Sequence, residues 1–227
     1  NLNYEPAQIV VSTGAKQSIA NVVLSLVNPG DEVLLPSPYW VSYIELVKMA
    51  EGVPVLLSAS IENDFKVTAE ELDGAITDKT KLIMFSSPCN PSGSSYSSEE
   101  LESIAGVVAS HEDLYVIADE IYEHIIFEGT HASLGSFKNV TDRVITVNGV
   151  SKGFAMTGWR IGYIGAPDWI VRACIKIQGQ FTSGASTISQ KAAEAAMKMD
   201  KASTMAMRDI FLTRRNLLLE LLKDIPG

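Results

Sequence analysis

Short apolar runs alternate with longer amphipathic stretches along this chain. Runs at 9–11, 32–35, 53–57, 82–86, 114–118, 144–148 and 161–165 are rich in Val, Ile and Leu. Most are apolar at consecutive positions, not at every second one, which predicts short strands covered on both faces. Between them, apolar residues recur at helical spacing over 15–26, 41–50 and 101–110. Asn28-Pro29-Gly30-Asp31 stops the first of these helices and opens a turn. Thr68-Ala69-Glu70-Glu71 and Ser97-Ser98-Glu99-Glu100 read as capping boxes. In each, the hydroxyl and the Glu carboxylate satisfy amides that a helix start leaves open. After Pro167 the pattern is almost entirely helical, over 169–178, 187–199 and 202–222.

Strand–helix alternation predicts an α/β fold, a mostly parallel sheet between helices. Ligands of such sheets bind beyond the carboxyl ends of the strands. Candidate chemistry is therefore sought in the loops 12–16, 37–40, 87–93, 119–122 and 148–160. At 227 residues, 46% hydrophobic and 20% charged, the chain builds a core without disulfide or metal. Its 27 acidic residues outweigh 18 basic ones, giving a net charge of −9. That leaves no basic footprint for a nucleic acid. No apolar run approaches the ~18 residues of a membrane span, and no charged-then-apolar leader is visible. Cys89 and Cys174 lie far apart, which suits neither a disulfide framework nor a zinc site. They read as reduced thiols, and the expected compartment is the cytoplasm. The chain starts at Asn1 and enters its first strand almost at once.

The loop from Ser151-Lys152-Gly153 to Gly158-Trp159-Arg160 holds the most chemistry. A lysine just after an apolar strand suits a Schiff-base amine, although a lone loop lysine is more often solvated. The fork of Arg160 suits a phosphate, or else a surface ion pair. Gly149-Val150-Ser151-Lys152-Gly153 also matches a serine-nucleophile elbow. That motif needs a histidine after the serine, and His111, His124 and His131 all precede it. In Asp119-Glu120-Ile121-Tyr122, the strand-end acid can meet a cationic ligand group or merely cap the next turn. Asn90, within Ser87-Pro88-Cys89-Asn90-Pro91-Ser92-Gly93, offers an amide to a ligand oxygen or serves turn chemistry. Gly14-Ala15-Lys16 lies where a strand passes into a helix, a place whose amides bind phosphate. Trp40 can stack on a flat ring or fill the core rim. Asn139-Val140-Thr141 matches a glycosylation acceptor and reads as an unmodified loop.

In this order, Gly14-Ala15-Lys16, Trp40, Asn90-Pro91-Ser92-Gly93, Asp119-Glu120-Ile121-Tyr122 and Ser151-Lys152 through Arg160 resemble the pyridoxal-phosphate aminotransferases of fold type I. The resemblance is to the class I group that contains bacterial aspartate aminotransferases, and it runs from about Ile9 past Gln190. It implies a seven-stranded large domain over residues 1–200. It also implies a helix over 201–227 leading toward a small domain. The implied cofactor is pyridoxal 5'-phosphate. Lys152 would form the internal aldimine and then move the substrate Cα proton. Asp119 would pair with the ring nitrogen, and Asn90 and Tyr122 would bond the ring oxygen. Arg160, Ser151 and the Gly14-Ala15-Lys16 amides would form the phosphate cup, and Trp40 would stack on the ring. The Ala15-Lys16-Gln17 arrangement implies that Lys16 reads the distal carboxylate of an acidic substrate, with Trp40 and Asn90 also near substrate.

The implied reaction is amino transfer between aspartate, or a related amino acid, and 2-oxoglutarate; prephenate aminotransferases are near relatives. The stretch 180–187 resembles a segment that approaches a partner's active site, so a homodimer is expected. In the family an N-terminal arm, and a C-terminal small domain with an α-carboxylate arginine, flank this span. On that ground the piece alone is expected to transaminate poorly. Two other functions share the resemblance, a carbon–sulfur β-lyase on the same cofactor and the ligand-sensing domain of a transcription regulator.

Overall fold

The computed structural model of the chain describes residues 2–226. Seven strands form one sheet: β1 (Ile9–Ser12), β2 (Glu32–Ser37), β3 (Val53–Ser58), β4 (Thr80–Ser86), β5 (Tyr115–Asp119), β6 (Val144–Gly149) and β7 (Gly162–Gly165). Their spatial order is β1-β7-β6-β5-β4-β2-β3. The segment from β6 to β3 is parallel throughout. β7 runs antiparallel to β6, and β1 antiparallel to β7. The helices are α1 (Ala15–Leu26), α2 (Ser42–Met49), α3 (Ala69–Ala75), α4 (Ser98–Ser110), α5 (Asp168–Phe181), α6 (Thr187–Lys198) and α7 (Ala202–Leu222). The expected α/β fold, a seven-stranded and mostly parallel sheet between helices, is thus observed.

Successive strand residues feed opposite layers, as a pleated strand requires. Val33 and Leu35, with Leu82 and Met84, join a core built against α1, α2 and α5. Leu34, with Ile83 and Phe85, joins a second core built against α3 and α4. This is why the central strands read as unbroken apolar runs. Both capping boxes form as the sequence predicts. Thr68 Oγ1 accepts from the Glu71 amide at 3.1 Å, and Glu71 Oε2 accepts from the Thr68 amide at 2.8 Å. Ser97 and Glu100 repeat the exchange at 3.2 and 2.7 Å.

Three features depart from the expected pattern. β3 is an edge strand, so Val53 and Leu56 are 45% and 50% exposed instead of covered on both faces. Single-turn 3-10 helices at Pro6–Gln8, Ile61–Asn63, Leu134–Ser136 and Thr157–Trp159 are too short to leave a periodic signal. α7 has helical periodicity, yet Thr204 is its one buried residue among those described. α7 fills most of the stretch 201–227; the outer ends of the two expected domains, Asn1 and Gly227, lie outside the described residues. Cys89 and Cys174 are both free thiols. Among the described residues no helix is long and apolar enough to cross a membrane.

Candidate active site

The carboxyl ends of β4, β5 and β6 share one edge of the sheet. β1 ends and antiparallel β7 begins at that same edge. The loops singled out in the sequence therefore converge around a cavity of about 180 Å³. Ala15, Lys16, Trp40, Asn90, Asp119, Tyr122, Ser151, Lys152 and Arg160 all line it. Gly14 stands directly behind them, and its role is steric. Its φ is +85°, and a Cβ there would lie 2.5 Å from Arg160 Nη2. Gly162 is tighter still: a Cβ would come within 2.1 Å of the Ala15 amide nitrogen. Only glycine lets the α1 start, the β7 start and the Arg160 guanidinium meet.

Asp119 closes β5 and is 4% exposed. Its Oδ2 accepts from the Tyr43 hydroxyl at 2.8 Å and its Oδ1 from the Ile121 amide at 3.2 Å. Burial pushes this carboxyl up to about 6 against the pull of those two bonds. The acid thus caps the next turn and also lines the cavity. Glu120 points elsewhere, as the strand alternation demands. Ser133 Oγ donates to its Oε1 at 2.5 Å, and His131 Nε2 lies 2.9 Å from its Oε2.

The cations approach from separate elements. Arg160 adopts a left-handed backbone (φ +54°) and donates from Nη1 to the Thr157 carbonyl at 2.9 Å. Lys152 Nζ stands 5.7 Å from the centre of the Tyr122 ring. Lys16 Nζ lies 4.9 Å over the Trp40 ring, and Trp40 meets Tyr43 edge-on at 5.6 Å. Ser151 is buried beside Lys152. Gly14 precedes α1 without a side-chain cap, and its own amide donates to the Ser12 carbonyl at 2.8 Å instead of facing a phosphate, so the Ala15 and Lys16 amides are the ones left to an anion. The serine-nucleophile alternative finds no support, because no histidine is among the residues that line this cavity with Ser151.

Sequence reasoning missed Tyr43, Ser86, Ile121 and Thr157, which also line the cavity. Tyr43 carried a signal only in being three residues after Trp40, across the turn that leads into α2. Ser86 and Ile121 flank strand ends whose other residues were recognised. The donor set suits pyridoxal 5'-phosphate on this structure's own terms. A helix start kept free of side chains by Gly14, the buried Asp119 carboxylate and the Lys152 amine all face the same cavity.

Comparison with known proteins identifies the family. The model of the class I and II aminotransferase family matches residues 1–227. The chain is 51% identical over 230 residues to a bifunctional aspartate aminotransferase and glutamate/aspartate-prephenate aminotransferase of Petunia hybrida, covering 100% of this chain and 48% of that one. It is 43% identical to an aspartate/prephenate aminotransferase of Nitrosomonas europaea, covering 100% of this chain and 58% of the relative. The crystal structure of the Rhizobium meliloti aspartate aminotransferase superposes with a TM-score of 0.97 at 39% identity, over 100% of this chain and 57% of that one. The chain thus spans about half the length of the curated relatives it matches. With the family model, the relatives and the backbone superposition all matching over its whole length, the chain belongs to the class I and II aminotransferases.

Proposed function

We propose that this chain carries the cofactor site of an aspartate aminotransferase-like enzyme. The whole protein would pass an amino group between aspartate, or a related acidic amino acid, and 2-oxoglutarate with pyridoxal 5'-phosphate. The observation that carries this reading is the cavity, where one buried carboxylate faces Lys16, Lys152 and Arg160. Arg160, Ser151 and the first amides of α1 would hold the phosphate. Asp119 would pair with the ring nitrogen, Asn90 and Tyr122 would bond the ring oxygen, and Trp40 would cover one ring face. When bound, the cofactor supplies an aldehyde and an electron-withdrawing ring.

The protein's own contribution is placement and proton handling. Lys152 would take the proton from the substrate Cα. Asp119 would stay ionised so that a positive ring remains favourable above it. Lys16 would read the distal carboxylate of the substrate, which supports an acidic amino acid. The exposed Phe181 within the stretch 180–187, and Ile188 just after it, support a homodimeric assembly at that edge. The similarity to aspartate and aspartate/prephenate aminotransferases supports the same substrate class.

The test combines labelling with kinetics. The full-length protein is incubated with pyridoxal 5'-phosphate, reduced with borohydride and digested. The mass increment is expected on the peptide that contains Lys152. Lys152→Ala should abolish that increment and lower aspartate turnover by more than about 10³-fold. Labelling of another lysine, or wild-type turnover in Lys152→Ala, would overturn the reading.

A further inference from the structure

We infer that Tyr43 is a positioning residue for Asp119: its hydroxyl fixes the carboxylate and keeps it an acceptor rather than a donor toward whatever occupies the cavity. The inference rests on the cofactor reading given above and adds a residue to it. Three observations carry it. First, the Asp119 carboxylate has one donor on each oxygen, the Ile121 amide on Oδ1 and the Tyr43 hydroxyl on Oδ2. The amide belongs to the backbone and is present with any side chain. The Tyr43 hydroxyl is the donor that selection of a side chain supplies.

Second, Tyr43 is fully buried, although it carries a polar group at its tip. A phenylalanine would fill the same space in α2 without a hydroxyl to satisfy. Burying that hydroxyl is tolerated here because it is paired with a charged acceptor. Third, the tyrosine is held by its surroundings. The Trp40 ring packs edge-on against it at 5.6 Å, and Val47 and Leu46 of the same helix lie in the core around it. The hydroxyl is therefore delivered from a rigid element, as a preorganised site requires.

Direction of donation matters. Tyr43 must give its proton to the carboxylate and not take one from it. Burial first, and then the nearby Asp119 charge, hold the Tyr43 phenol well above its ordinary range, which favours the protonated, donating form. Asp119 is under the opposite pressure. Burial favours its neutral form, and the two donors resist that. The other titratable groups near the pair are Glu120, Tyr122 and Cys89, and Lys16, Lys152 and Arg160 line the cavity. None of them has a hydrogen bond to the Asp119 oxygens among the described residues. Without the Tyr43 donor the carboxylate becomes more basic. A proton shared between Asp119 and a ring nitrogen would then move toward Asp119.

The test follows where that proton sits. Holoenzyme is prepared with pyridoxal 5'-phosphate labelled with ¹⁵N in the ring, as wild type and as Tyr43→Phe. The expected result is a pyridinium-type nitrogen resonance in the wild type and a shift toward the neutral-pyridine position in Tyr43→Phe. Cofactor affinity should weaken about tenfold, the effect of losing one charge-assisted hydrogen bond. Ring-fluorinated tyrosines placed at position 43 keep the shape and grade the hydroxyl acidity. The resonance should track that acidity, which a packing role would not produce. This series also decides the matter if Tyr43→Phe fails to fold. An unchanged resonance in folded Tyr43→Phe, or no trend across the fluorinated series, would overturn the inference. Failure of the cofactor reading is distinct, because wild type itself would then bind no labelled cofactor.

Discussion

The Asp119 carboxyl ends β5 in a place where its charge is poorly solvated, and its value is raised from 3.8 to about 6. A raised acid contributes stability that is fully present below the unfolded value, near 3.9, and is lost as pH rises through about 6. The cofactor-free protein thus carries the full burden at neutral pH. Asp119→Asn should stabilise that form by up to about 3 kcal/mol at pH 7.5. The gain should shrink below pH 6 and vanish near pH 4. Urea unfolding of both proteins across this range measures it, and a pH-independent difference would refute it. The same residue shows what a sequence reveals at this scale. Asp119, Lys152 and Arg160 were legible because each breaks the local rule, a charge directly after or within an apolar run. Tyr43 was not legible, because an aromatic residue on an amphipathic helix reads as core, and its hydroxyl bond is made to a residue 76 positions away. Gly162 was likewise silent, since the backbone it accommodates belongs to Ala15.

Between elements, one side chain ties the β1 edge to its helices. Gln178 of α5 is 5% exposed. Its Oε1 accepts from Ser12 Oγ at 2.6 Å and from Asn21 Nδ2 at 2.9 Å, and its Nε2 donates to the Val11 carbonyl at 2.9 Å. β1, α1 and α5 are therefore locked together just behind the Gly14 turn. Gln178→Leu keeps a similar volume but strands three buried polar groups. A loss of about 3 kcal/mol in unfolding free energy is expected, together with weaker cofactor binding. Ser97→Ala, which removes the α4 cap far from the site, should cost about 1 kcal/mol and leave cofactor binding unchanged. Equal effects of the two variants on cofactor affinity would contradict the coupling. Elements themselves were largely legible. All seven strands stand where the apolar runs lie, and α1 spans the residues its periodicity marked. Strand order and the antiparallel β1–β7–β6 pairing were not, because register depends on contacts distant in sequence. β3 shows the consequence: its apolar run is as convincing as that of β2, and only its place at the edge leaves it exposed.

At the scale of the molecule, α7 is the element whose pattern and burial disagree. Leu217, Leu218, Leu221 and Leu222 lie more than half exposed along it. Its tertiary ties include the Arg215–Glu128 pair at 3.1 Å and the approach of Arg215 to the Phe127 ring at 5.8 Å. Surface pairs of this kind contribute little. A helix of 21 residues without a packed face has only marginal stability of its own, because nucleation is costly and tertiary burial normally supplies the rest. The central strands are in the opposite position, with Leu82, Met84, Ile117 and Ile145 fully enclosed. Hydrogen exchange on the 227-residue chain should therefore separate the two. Amides of residues 210–222 should show protection below about 100-fold, while those of β4, β5 and β6 should exceed roughly 10⁴-fold. The measurement needs a concentration at which sedimentation shows a monomer, since an exposed apolar stripe invites association. Protection that rises with concentration would identify a second copy as the cover for this face. Strong protection of 210–222 in the monomer would mean that α7 holds itself against the domain by contacts other than those described, and the account of its exposure would fail.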